Sequence, residues 1–236
     1  MPTPYRQRSW CMSSRFERIV SAVLVACAVV ATSTLVHREF FAEPLARRPE
    51  SAVQVEGWSD LLARGVRTGQ PGAPVQIVEF GDFQCPFCRT FHREIEKVLL
   101  RHGPNVAHTF VHFPLDDIHP SARDAALAAE CAAEAGRFSE LKAALFARQD
   151  QLGSVPWTVL ARAAGIDDTL SYEECLVRPA TASRVEDDIA IGQRLGVRGT
   201  PTVMVNGWML PSPPTADSLS AMIERVLAGR DLFHRN

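Results

Sequence analysis

The chain has 236 residues, 46% hydrophobic and 22% charged, which excludes disorder throughout; with a single bilayer-length apolar stretch it also excludes a polytopic membrane protein. Lys and Arg number 25 against 27 Asp and Glu, a net charge of −2 without the basic surplus of a nucleic-acid binder, so no nucleic-acid partner is expected. Six cysteines are too few for a disulfide-rich miniprotein, and the length suits one domain with an appendage.

Residues 1–18 form a basic N-terminal segment, with Arg6, Arg8, Arg15 and Arg18 against Glu17. The run from Ile19 to Val36 carries no charge. As a helix it would reach about 27 Å, enough for a thin hydrocarbon core. The basic flank favours an N-terminus on the inner side, and 19–36 reads first as a membrane anchor. Two other readings stay open. One is a cleaved signal, although Ala31-Thr32-Ser33 makes a poor cleavage site. The other is a lipoprotein signal at Leu24-Val25-Ala26-Cys27, although apolar residues continue past Cys27. All three export the rest of the chain, to a bacterial cell envelope with the domain outside the cytoplasm. Residues 37–73 hold several prolines and scattered charges. They read as a linker with a lead-in helix near 58–64, before a domain at 74–236.

Val75 to Phe80 is rich in β-branched residues and bounded by Pro74 and Gly81, which predicts a buried strand. A turn leads to Cys85-Pro86-Phe87-Cys88. Apolar residues then recur at Phe87, Phe91, Ile95, Val98 and Leu99, predicting a helix from 86 to 102 that Gly103-Pro104 stops. Cys85 falls at that helix's N-terminus, where unpaired N–H groups and the macrodipole favour a thiolate. Alone, a C-x-x-C is half a zinc site as readily as a redox pair. A structural zinc needs four ligands, however, and no second C-x-x-C or C-x-x-H follows, so no metal is expected. Farther on, Gly199-Thr200-Pro201 leads into a strand at 202–205, and Asn206-Gly207 turns the chain into a second at 208–210. Between the two motifs, 117–178 reads as several helices, at 119–135, 138–149, 156–164 and 171–177. A strand at 106–113 and helices near 181–195 and 215–228 complete the pattern.

The combination of EFGDFQCPFC, GTPT before a hairpin strand and an intervening helical block resembles the DsbA-like branch of the thioredoxin superfamily, over roughly residues 55–230. The resemblance implies an α/β, thioredoxin-like fold with a helical insertion at about 117–178. It also implies a cis bond before Pro201, with Thr200 and Pro201 flanking a redox-active Cys85–Cys88 pair.

In thiol–disulfide exchange Cys85 is then the nucleophile and Cys88 the buried resolving thiol. No further cofactor is needed. The Pro-Phe dipeptide lacks the histidine of the family's strongest oxidants. Phe87, on an exposed turn, suits a hydrophobic substrate surface. Glu79 either points to an open sheet edge or, as the resemblance supports, accepts the proton of Cys88. Thr200 with Pro201 would offer backbone groups to a substrate strand. Asp82 reads as a turn residue and His92 as a surface histidine.

The function implied is a protein-disulfide oxidoreductase tethered through 19–36, acting on unfolded or reduced exported proteins and reoxidised by a membrane redox partner. An isomerase or reductase of the same fold stays open, as does a periplasmic C-x-x-C module for a soft metal such as Cu(I). Cys131 and Cys175 remain as an exported pair, for which an oxidising compartment favours a structural disulfide.

Overall fold

The computed structural model describes residues 19–30, 32 and 51–233. The chain divides into two units, 1–47 and 48–236. In the first unit, residues 19–30 are helical and all are exposed. Among the described residues no helix is long and apolar enough to cross a membrane. The remainder of the anchor expected at 19–36 (residues 31 and 33–36) lies outside the described residues, as do the basic segment 1–18 and Cys11.

The second unit is built on one six-stranded sheet. It begins inside the stretch read from sequence as a linker, and that reading is corrected here. Residues 37–73 contain β1 (Val53–Gln54) and β2 (Val66–Gly69), separated by a 3-10 turn at Trp58–Ala63. Such short strands leave no alternation to detect, and both depend on partners distant in sequence. β3 (Val75–Gly81), α1 (Pro86–His102) and β4 (Val106–His112) follow as a βαβ unit. β3 and β4 pair in parallel, with Glu79 opposite Phe110 and Ile77 opposite His108. The helical insertion holds α2 (Ala122–Glu134), α3 (Phe138–Ala147), α4 (Trp157–Ala163) and α5 (Thr169–Leu176). The chain returns through α6 (Pro179–Arg194) to β5 (Thr202–Val205), β6 (Trp208–Met209) and α7 (Ala216–Leu227).

The strand order is β1-β6-β5-β3-β4-β2, so the two earliest strands close opposite edges of the sheet. β5 runs antiparallel to both β3 and β6. The β5–β6 turn uses Asn206 at φ 45° and Gly207 at φ 84°, a left-handed pair suited to a two-residue hairpin. Asn206 also accepts the Gln76 N–H at 2.7 Å, tying the turn to β3.

The period-two alternation of β3 decides what each face covers. Val75 and Ile77 pack with Phe91, Ile95 and Val98 of α1 and Leu219 and Ile223 of α7. Val78 and Phe80 pack on the other face with Val111, Met204 and Leu61. A third cluster joins the insertion to the sheet: Phe83, Cys85, Cys88 and Phe110 pack with Leu141, Leu145, Phe146 and Leu160. Phe83 stacks on Phe110 with centroids 5.0 Å apart and tilts against Phe146 at 5.2 Å. Gly81 makes this close fit possible, since a Cβ there would come within 2.3 Å of the Phe110 ring.

Candidate active site

The cysteines sit where β3 hands the chain to α1. Asp82 organises the turn, with Oδ1 accepting the Gln84 N–H at 2.7 Å and Oδ2 accepting the Leu115 N–H at 2.9 Å. His119 Nδ1 lies 2.7 Å from the same Oδ2. Reading Asp82 as a simple turn residue missed this buried carboxylate, because Leu115 and His119 reach it only in the fold. Gln149, at the end of the α3 region, donates its Nε2 hydrogens to the carbonyls of Phe83 at 2.7 Å and Cys85 at 2.9 Å. The insertion therefore clamps the loop that carries the nucleophile.

Cys85 is the N-cap of α1 and Pro86 its first residue, a position where a missing N–H costs no helical bond. Cys85 Sγ lies 3.2 Å from the Thr200 carbonyl oxygen, across the cis Thr200–Pro201 bond. The structure thus brings together Cys85, Cys88, Thr200 and Pro201 from distant parts of the chain. The thiol of Cys88, hydrogen-bonded to the Cys85 sulfur, does most to hold the Cys85 pKa at about 6. Burial opposes this, while the Thr200 side chain and the N–H groups of Cys88 and Phe87 assist it. Cys88 is fully buried and accepts the Asp82 N–H at 3.4 Å. Burial, then its bond to Cys85 and the charge of Glu79, push its thiol well above the ordinary range. The two sulfurs are thereby differentiated: one ionises readily and the other keeps its proton. Between them, Phe87 projects 70% exposed.

Glu79 stands on the central strand, 1% exposed, so the open-edge reading is excluded. Its Oε2 lies 2.9 Å from His108 Nε2. Burial raises its pKa to about 7, and Lys142 and His92 moderate that rise. Sequence reading passed over His108 and Lys142, though both left a trace. His108 interrupts the inward face Val106, Phe110 of β4, and Lys142 lies in the apolar stripe Phe138, Leu141, Leu145 of α3. His92 is not a surface histidine: it stacks on Phe146 with centroids 4.9 Å apart and turns its Nδ1 to Glu96 at 3.7 Å. Among the described residues, the free cysteines at this site are Cys85 and Cys88.

Cys131 and Cys175 are bonded, with Cα atoms 5.8 Å apart, and link α2 to α5. A second polar cluster joins the insertion to β4. His112, Glu130 and Asp188 place ligand-type atoms within 4.8 Å of one another. Both Glu130 oxygens are already engaged, Oε1 by His112 Nε2 at 3.1 Å and Oε2 by Arg184 Nε at 2.8 Å.

Known proteins match this arrangement. The family profile described as Thioredoxin covers residues 63–225. A Bacillus subtilis protein named Disulfide bond formation protein D is 30% identical over 69% of this chain and 77% of its own. A Mycolicibacterium gilvum protein named Na(+)/H(+) antiporter NhaA 1 is 39% identical over 69% of this chain. The match spans only 26% of that relative's length, so this chain corresponds to a part of it. Among solved structures, oxidised BdbD from Bacillus subtilis superposes with a TM-score of 0.65 at 26% identity, covering 76% of this chain and all of that one. A thioredoxin-like oxidoreductase from Silicibacter pomeroyi gives 0.61 at 24% identity, covering 72% and 97% of the two chains. The paired cysteines at a helix N-terminus, the cis-proline beside them and these matches place the chain in the thioredoxin superfamily, in its branch of DsbA-like thiol:disulfide oxidoreductases.

Proposed function

We propose that the chain oxidises dithiols of exported proteins through its Cys85–Cys88 disulfide. The observation that carries this reading is the contrast between the sulfurs: Cys85 is held near pKa 6 at the helix N-terminus while Cys88 is pushed far up. A substrate thiolate attacks Cys85 Sγ of the disulfide, and Cys88 leaves and takes a proton, for which Glu79 is the buried source. A second substrate thiolate then attacks the substrate sulfur of the mixed disulfide, and Cys85 leaves as a stabilised thiolate. Stabilising the reduced form in this way makes the disulfide oxidising. The Thr200 carbonyl and neighbouring backbone receive an extended substrate segment, and exposed Phe87 offers it apolar contact. A membrane partner carrying its own disulfide returns the pair to the oxidised state.

In this reading the unit works outside the cytoplasm and is tethered by the N-terminal run. The helix at 19–30 supports the tether, with Ile19, Leu24, Val25 and Val30 more than 60% exposed. Such an apolar surface demands cover, which a bilayer supplies. Relatives named as antiporters, which carry a matching stretch within a longer chain, also favour a membrane setting.

Oxidation of reduced, unfolded ribonuclease tests the direction of exchange, together with the equilibrium of the pair against glutathione. A potential near that of DsbA, about −120 mV, supports the oxidase, and one near that of thioredoxin, about −270 mV, assigns a reductase instead. Protease added to spheroplasts should remove the domain. Mass spectrometry of the mature N-terminus separates an anchor, a cleaved signal and lipidation at Cys27.

A further inference from the structure

Two parts of the chain converge on Asp82, whose side chain is fully buried. From within the cysteine loop, the Gln84 N–H donates to Oδ1 at 2.7 Å. From the segment between β4 and α2, the Leu115 N–H donates to Oδ2 at 2.9 Å, and His119 Nδ1 lies 2.7 Å from the same oxygen. A carboxylate oxygen only accepts, so Nδ1 carries a hydrogen and donates it. That segment is folded on itself, with the Ile118 and His119 N–H groups donating to the Leu115 carbonyl at 3.0 and 2.9 Å. It is stitched to the loop once more by the Ser121 N–H on Gln84 Oε1. The main chain of Asp82, meanwhile, faces the cysteines. Its N–H donates to Cys88 Sγ at 3.4 Å, and its carbonyl accepts the Cys85 N–H at 3.2 Å. One residue thus holds a donor against the resolving sulfur and is itself held, through its side chain, by a neighbouring segment. Turning the Asp82 peptide away would unpair a buried carboxylate, and that cost keeps the N–H in place. His119, its side chain 16% exposed, is the one side chain from outside the loop in this hold.

We propose that His119 is a positioning residue for the resolving cysteine. Its hydrogen bond to Asp82 keeps the Asp82 N–H aimed at Cys88 Sγ, where negative charge gathers whenever the Cys85–Cys88 ring opens or closes. The proposal deepens the oxidoreductase reading and rests on it. On opening, an incoming thiolate bonds to Cys85 Sγ, the Cys85–Cys88 bond breaks, and its electron pair goes to Cys88 Sγ. The Asp82 N–H meets that charge until Glu79 supplies the proton. On closing, Cys88 gives the proton back and its sulfur bonds to Cys85 Sγ. The outer sulfur then leaves as a thiolate with the electron pair of the broken bond. A donor fixed before the charge appears needs no reorganisation at that moment, which is how an aimed N–H lowers a barrier. Attack by reduced Cys85 on an external disulfide is a different step. Cys88 stays an S–H group there and puts no charge before the Asp82 N–H.

The full chain, oxidised and mixed with reduced glutathione, reports ring opening. Reduced and mixed with oxidised glutathione, it reports first the attack by Cys85 and then ring closing. Acid quenching and mass spectrometry separate the three rates. In His119→Ala, ring opening and ring closing should each slow about tenfold, the worth of one hydrogen bond to a charged atom. Their ratio should hold, because the N–H acts on charge present only in transit. Attack by Cys85 should also keep its rate. His119→Asn, whose amide N–H stands where Nδ1 stands, should restore both ring steps. His119→Gln, whose amide lies one carbon farther out, should not. Unchanged ring steps in His119→Ala, or all three rates slowed alike, would overturn the proposal. Should His119→Ala not fold, equal ring rates in His119→Asn and His119→Gln overturn it alone. A wild-type chain that opens and closes the ring with glutathione but leaves reduced ribonuclease unoxidised would refute the oxidase reading and leave the role of His119 standing.

Discussion

Cys85 and Cys88 are three positions apart and chemically unlike: the hydrogen bond from the Cys88 thiol does most to lower Cys85, and burial does most to raise Cys88. Cys85, itself 3% exposed, caps α1 beside the Thr200 carbonyl, whereas Cys88 lies one turn further along the helix against Phe83 and the Asp82 N–H. Absorbance of the reduced protein at 240 nm should therefore show one thiolate with a midpoint at about pH 6. Alkylation of Cys85 should slow about tenfold per unit below that midpoint. The same shift sets a pH dependence of stability. Cys85 titrates at about 6 folded against an ordinary 9.0, so its contribution is complete above pH 9 and is lost as pH falls through 6. The stability of the reduced form relative to the oxidised form should rise between pH 6 and 9, as paired urea titrations would record. Cys88→Ala should accumulate mixed disulfides on Cys85 in cells, and Cys85→Ala should form none; a non-reducing gel distinguishes them, and the reverse pattern would exchange the two roles. The cysteine pair, Pro86 and Thr200-Pro201 were legible in sequence because their chemistry is stated by adjacent residues. Asp82, His108 and Lys142 were not, since what makes them matter is a partner from another element and the exclusion of water.

At the scale of elements, the long helices and central strands followed from periodicity. α1 was bounded by Pro86 and Gly103, and the hairpin by Asn206-Gly207. Helix ends moved by one to three residues, most at the start of α2, where the chain turns through Ser121 before Ala122. β1 and β2 escaped notice because only pairing creates them. Val53 lies opposite Met209 and Val66 opposite Phe110, and no local pattern announces either contact. Within the insertion, the Cys131–Cys175 bond closes a separation of 44 residues, and both cysteines are 3% exposed. Replacing both with Ser should lower unfolding stability by about 4 kcal/mol in the chain-entropy account. In urea the loss should appear with the Cys85–Cys88 site intact, and mild reductant should open Cys85–Cys88 first.

For the whole molecule, the arrangement places chemistry at a seam. The thioredoxin core supplies the cysteines and the proline, while the insertion supplies Gln149 against the loop carbonyls and a buried Lys142 beside Glu96. Phe83, packed between Phe110 of the sheet and Phe146 of α3, couples the two parts mechanically. The N-terminal strands have a different kind of consequence. β1 lies on β6 at one border of the sheet and β2 lies on β4 at the other, so a single stretch of fewer than twenty residues forms both short borders and pairs the backbone groups of β6 and β4 that would otherwise be outermost. Bare borders of this kind recruit strands from neighbouring chains. A chain truncated to begin at Pro71 should keep its cysteine pair yet self-associate at both flanks. Such doubly open particles extend into polymers instead of stopping at dimers, so light scattering should grow with time and concentration. Adding back a peptide spanning residues 51–70 should suppress that growth, and the segment that leads into the domain would then serve as its guard against polymerisation.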